Sequence, residues 1–240
     1  MSIPGMHRFP TDDDVPAHGF DFRPAWWQPR VDPTWGAFLT DLPTAERGRG
    51  YHHITRRDLL TGTDLTSQGA DGRLLVACFV WGTGDGGWLA PRRARVFRDT
   101  PPGDLSAYLA QARQALRTGG AVAAYEAMHD GGPCRVKHMR ASFFTKFLYA
   151  ADAPGDGSPG HALILDQFVA IALNDLHDWA LPEKSGWSPE TYGRWLKLAH
   201  DLARKESEQT GTHVRADAVE MAYFTYGRDL ARKRRANTAP

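Results

Sequence analysis

From residue 102 onward the apolar residues of this chain return every three to four positions and almost nowhere every second one, which selects helices over strands. In "PGDLSAYLAQARQALRTGG", Leu105, Tyr108, Leu109, Ala112 and Leu116 fall on one helical face, and Gly119 and Gly120 end the run. "AVAAYEAMHD" reads as a second, shorter helix. "GGPCRVKHMRAS" joins it to "FFTKFLYA", and a polar loop leads to "ALILDQFVAIALNDL", where an extended approach gives way to a helix at Asp166. Residues 188–208, opened by the cap signal "SPE", and residues 216–235 form two long terminal helices. Upstream, "TWGAFLTDL" predicts a short helix, Thr55 caps "RRDLLTG", and Asp71 or Gly72 opens "GRLLVACFVWGTG", apolar enough to be a buried helix. The expected fold is all-α.

A chain of 240 residues with 42% hydrophobic content can bury a substantial core. Prolines and aromatics crowd its start, as in "FRPAWWQPRVDP", so residues 1–50 are expected as an irregular arm packed on a helical body spanning 51–240. No run reaches the roughly 18 apolar residues of a membrane span, and the first residues lack the pattern of a secretory signal, which makes the cytoplasm the expected location. The two cysteines, Cys78 and Cys134, are too few for a four-cysteine zinc site or a four-thiolate iron–sulfur cluster, and read as packing residues. "YHH" at 51–53 puts neighbouring histidines in different directions with no acidic residue at ligand spacing, so no metal is expected there, and nothing calls for a cofactor. "GTGDGG" lacks the ending of a phosphate loop and reads as a helix terminator. Asp217 and Glu220, one helical turn apart, are expected in ion pairs with arginines. Net charge is +1, but "APRRARVFR" at 90–98 and "GRDLARKRR" near the end are basic clusters, fitting either solvated faces or phosphate contacts.

"ASFFTKFLYA" at 141–150 raises the chemical question, because it places one lysine inside an aromatic run. As a helix it puts Phe143, Phe144, Phe147 and Leu148 on one face and Thr145, Lys146 and Tyr149 on another, so that Lys146 stands at the rim of a core, where a cleft would be. Twenty positions later Asp166 ends three aliphatic residues and begins a helix. Singly, each has a plain structural account: an exposed lysine on an amphipathic helix, and an N-cap worth on the order of 1 kcal/mol.

Together they resemble a known arrangement. A lysine helix carrying a TK pair, a polar loop, then aliphatic residues ending in an aspartate at a helix start is similar to the helix-hairpin-helix DNA glycosylases, most nearly the compact archaeal and bacterial 8-oxoguanine glycosylases of the OGG fold. The resemblance covers residues 121–176 most clearly and 72–235 more loosely, including "FVWGTG" and "RADAVEMAYF". It places the family's catalytic lysine on Lys146 and its catalytic aspartate on Asp166. Cleaving an N-glycosidic bond builds positive charge on the sugar, which a fixed carboxylate stabilises. A lysine attacks the anomeric carbon as a free amine, for which the surrounding phenylalanines supply a partly desolvated setting. The base must also leave the duplex and be read in a pocket. Among eight tryptophans and eleven phenylalanines, the expected pocket walls are Trp81, Phe144, Tyr149, Trp179 and Trp187, with Trp88 and Phe224 as further candidates. Lys137, His138 and Arg140 in the hairpin, and Arg92, Arg93 and Arg95, are the expected phosphate contacts. The sequence departs from the family in lacking glycines just before the lysine helix, any cluster-binding cysteine set, and a strand-rich N-terminal domain.

The resemblance implies a monomeric enzyme acting on double-stranded DNA that contains a modified base, with a lyase step open to it. Two substrate classes compete: an oxidised purine such as 8-oxoguanine, as in repair, or a bulky modified phage base such as glucosylated hydroxymethylcytosine, as in antiviral defence. The alternatives are a non-catalytic helix-hairpin-helix DNA-binding protein and, more distantly, a Schiff-base enzyme acting on small carbonyl compounds.

Overall fold

In the computed structural model, residues 3–4, 8–61, 66–67, 69–152 and 161–238 are described. Helix α4 (Ala70–Thr83) lies at the centre, as its composition requires: Leu74, Leu75, Val76, Ala77, Cys78, Phe79 and Val80 are all buried, so every side of the helix meets protein. Trp35 packs so closely on its first turn that any side chain at Gly72 would collide with the indole. Trp35 belongs to α2 (Pro33–Gly36), capped by Asp32, which accepts from the Thr34 amide at 2.9 Å.

The N-terminal segment is more regular than its prolines suggest. After α1 (Asp14–Ala17), strand β1 (Gly19–Phe22) pairs antiparallel with β2 (His52–Thr55), with Gly19 opposite Thr55 and Phe22 opposite His52. Four residues are too few for alternation to be read, and the partner strand lies some thirty residues away in the chain. Phe22, Trp27, Leu39 and Ile54 are buried, so this arm contributes to the core. Helix α3 (Arg56–Thr61) follows, its start fixed by reciprocal bonds in which Asp58 accepts from the Thr55 amide at 2.7 Å and Thr55 Oγ1 accepts from the Asp58 amide at 3.4 Å.

Two short basic helices, α5 (Ala90–Arg93) and α6 (Arg95–Arg98), lead into α7 (Pro102–Met128). The two helices expected here are joined end to end. Gly120, with φ of 77°, turns the axis without an intervening loop, a conformation a side chain would oppose. Residues 129–140 then form the hairpin that delivers α8 (Ala141–Asp152). No glycine lies in the eight residues directly before α8 (133–140), yet His138 adopts the positive φ of 67° that a glycine would take most easily, its imidazole held 2.8 Å from Asp99. Helix α9 (Gln167–His177) packs on α11 (Ala216–Thr238), and α10 (Pro189–Thr210), capped by Ser188, packs on α7 and α11. Helices dominate and the two-stranded sheet is small, which gives the all-α class expected from the periodicity.

Candidate active site

Lys146 and Asp166 meet because the residues just before them are bonded to each other. Thr145, fully buried on α8, accepts from the Leu165 amide at 3.2 Å and lies 3.3 Å from the Leu165 carbonyl, while its hydroxyl is 2.6 Å from the Ala141 carbonyl. The extended backbone at 162–165 is buried, so its polar groups need partners. Tyr192 binds both the amide and the carbonyl of Leu163, and Trp195 Nε1 donates to the Ile164 carbonyl at 3.1 Å. Asp166 is thereby carried to the start of α9 beside the lysine helix.

The aspartate's two oxygens are divided between tasks. Oδ1 caps α9, accepting from the amides of Phe168 at 2.9 Å and Val169 at 3.2 Å. Oδ2 lies 3.3 Å from Lys146 Nζ, which also donates to the Ser142 carbonyl at 2.8 Å. Lys146 and Asp166 are 5% and 7% exposed, so this is a buried pair, set deeper than the rim position expected for the lysine. Its stem crosses α4 at Gly82: a Cβ there would lie 2.8 Å from Lys146 Cδ and 3.1 Å from a Phe143 ring carbon.

The pair opens into a cavity of about 620 Å³. Trp81, Phe143, Phe168, Phe224 and, from the arm, Phe20 give it aromatic walls. Glu220 also reaches it, held by Arg56 at 2.7 Å with both side chains 1% exposed. Burial pushes the Glu220 carboxyl above its ordinary range, against the pull of Arg56. The Arg56 guanidinium also lies 5.2 Å from the Trp81 ring centre, and Trp81 Nε1 donates to the His18 carbonyl at 3.0 Å, which fixes that wall. Asp217, the other acid expected in an ion pair, is bound by Arg215 and accepts from the Tyr149 hydroxyl at 2.8 Å.

Arginines ring the more exposed part of the cavity. Arg228, Arg232 and Arg235 lie at i, i+4 and i+7 on α11. Arg93 donates to the Gly82 carbonyl at 2.8 Å and stacks 4.8 Å from the Phe143 ring centre, and burial pulls its guanidinium down to about 10.

Of the aromatics singled out from sequence, Trp81 and Phe224 line this cavity. Phe144 lies in the core with its edge toward Tyr125, Tyr149 is buried against Asp217, and Trp187 is buried with its indole bonded to the Pro182 carbonyl. Trp179 lies in a separate hollow beneath Arg194, and Trp88 is 82% exposed. The two basic groups expected separately adjoin one another: His138 and Arg95 both reach Asp99, at 2.8 and 4.0 Å. Arg98, bonded at 2.6 Å, contributes most to holding the Asp99 carboxyl well below the usual range. Arg140 donates to Ser185 Oγ, and Lys137 and Arg92 are exposed. Phe20, Gly82, Gln167 and Phe168 were not singled out from sequence, although the last two directly follow Asp166. His52 and His53 bind the Leu42 carbonyl and Asp21, and among the described residues no group of three or more His, Cys, Asp or Glu side chains could hold a metal ion.

A mostly helical body with one small two-stranded sheet is consistent with the all-α fold of an OGG-like glycosylase. The family model described as "Putative 8-oxoguanine DNA glycosylase OGG-like protein" matches residues 13–224, and the chain belongs to that family. No curated protein and no solved structure matches it. Membership points to a DNA glycosylase and hence to DNA as the partner. Among the described residues no helix is long and apolar enough to cross a membrane.

Proposed function

We propose that the cavity receives a nucleotide extruded from duplex DNA and that Lys146 displaces its base. The observation that carries this reading is the 3.3 Å approach of Lys146 Nζ to Asp166 Oδ2 inside an aromatic cavity. Once the ammonium has released a proton to water in the open cavity, which leaves Asp166 ionised, Nζ forms a bond to C1′. The bond from C1′ to the base breaks and its electron pair leaves with the base. Asp166, fixed by two amides, stabilises the positive charge that builds on the sugar. Opening of the sugar ring gives a Schiff base. Water then hydrolyses it, or loss of a C2′ proton expels the 3′ phosphate in a lyase step. The base is an oxidised purine, which the family description favours, or a bulkier modified base, for which a cavity of about 620 Å³ leaves room.

The test is borohydride trapping on duplexes carrying 8-oxoguanine and on phage DNA with glucosylated hydroxymethylcytosine, the released base being identified by mass. Wild-type protein is expected to form a covalent adduct with one of them and Lys146→Gln none. An adduct that survives Lys146→Gln removes the nucleophile assignment. DNA binding without release of any base favours a non-catalytic binding protein.

A further inference from the structure

Extruding a nucleotide leaves a gap in the base stack, and the surface beside the cavity carries a side chain shaped to fill it. Trp88 is 82% exposed, whereas tryptophans are mostly buried on average; Val122, at 38%, is the other large hydrophobic exposed among the described residues. The ring stands on a fixed base. Gly87 beneath it packs so tightly on the Trp26 indole that no side chain would fit, and Ala90 is fully buried. Gly84 and Gly86, just before it in the chain, line the cavity, so Trp88 sits outside the cavity next to its edge. Glycine backbone there lets a sugar–phosphate chain approach closely. Arg92, Arg95 and Arg98 follow within ten residues with exposed side chains, a charge pattern that suits phosphates on either side. A protein partner would need roughly 800 Å² of contact surface on each side with an apolar centre, and one ring among glycines and arginines does not supply that centre.

We propose that Trp88 enters the duplex beside the extruded nucleotide and stacks on the neighbouring bases. Apolar side chains wedged between base steps open a duplex in this way, and a flat indole stacks on any base. Trp88 acts in positioning, since it does not reach the reacting atoms. The inference rests on the glycosylase reading.

The probe is a duplex with a tetrahydrofuran abasic analogue opposite 2-aminopurine, which requires no knowledge of the base released. Wild-type protein is expected to bind it and alter the 2-aminopurine emission. Trp88→Ala is expected to bind roughly five- to hundredfold more weakly, the worth of one base–aromatic stack, and to leave the emission unchanged at saturation. Trp88→Phe should restore part of both. On a single strand with the same analogue, which has no paired stack to fill, wild type and Trp88→Ala should bind alike. Equal affinity and emission for Trp88→Ala on the duplex, an equal loss on the single strand, or a wild-type protein that leaves the emission unchanged would each overturn the inference. Failure of the glycosylase reading shows elsewhere, as absence of a Lys146 borohydride adduct.

Discussion

The division of labour at Asp166 can be separated by two substitutions. In Asp166→Asn the side-chain oxygen still accepts from the Phe168 and Val169 amides, and asparagine caps helices about as well as aspartate, but the charge facing Lys146 is gone. Removing one partner of a fully buried ion pair costs about 3–5 kcal/mol. Here the Ser142 carbonyl still accepts from Nζ and the cavity admits water, so the stability loss should be smaller, about 1–3 kcal/mol. Excision should fall by about 10²–10³, the effect of removing one preorganised electrostatic contact, or roughly 3–4 kcal/mol of transition-state stabilisation. Asp166→Ala removes the cap as well and should be less stable than Asp166→Asn by about 1 kcal/mol, with little further loss of rate. Urea unfolding gives the stabilities and single-turnover base release gives the rates. A wild-type rate in Asp166→Asn, or equal stability of the two variants, would refute the assignment of separate roles to the two oxygens.

Gly82→Ala should cost about 1–3 kcal/mol in stability, because the new methyl would lie 2.8 Å from the buried lysine stem and the strain outweighs the gain in helix propensity, and it should lower excision at least about tenfold; melting and rate measurements on one preparation check both. Thr145→Val leaves the buried Leu165 amide without its acceptor and should cost about 1–3 kcal/mol in unfolding free energy. His18 supplies a pH dependence. Burial first, then Arg56 and Arg228, lower its imidazole to about 4, so the folded state holds it neutral while the unfolded chain takes up a proton near 6.5. Its contribution is present above 6.5 and is lost as pH falls toward 4, by about 3 kcal/mol at most. Glu220 works in the opposite sense, so the readout is the difference between wild type and His18→Gln at pH 7.5 and pH 4.5, which should narrow at the lower pH.

The helical class, the buried α4 and the Ser188 and Asp166 caps were legible because each is written locally, as a repeat of three to four residues or a capping oxygen, whereas the pairing of Lys146 with Asp166, twenty positions apart, came from the family resemblance. The arm was harder to read. Its β1–β2 ladder pairs residues 30 to 36 positions apart, as from Phe22–His52 to Gly19–Thr55, and such a partnership leaves no periodic trace in a strand of four.

Which aromatics line the cavity was a tertiary decision. "FFTKFLYA" reads as a helix with a lysine on a side away from its phenylalanines, but neighbours cover all sides of α8: Phe144 and Tyr149 turn into packing, while Phe143 faces the hollow. Phe20 from the arm, Gly82 under the lysine stem and the α11 arginines come from three distant parts of the chain, and only folding brings them around one amine. Sequence determined the elements because short-range patterns encode them; the approach of Lys146 to Asp166 and the shape of the hollow depend on long-range packing, where each side chain's direction is set by what it meets.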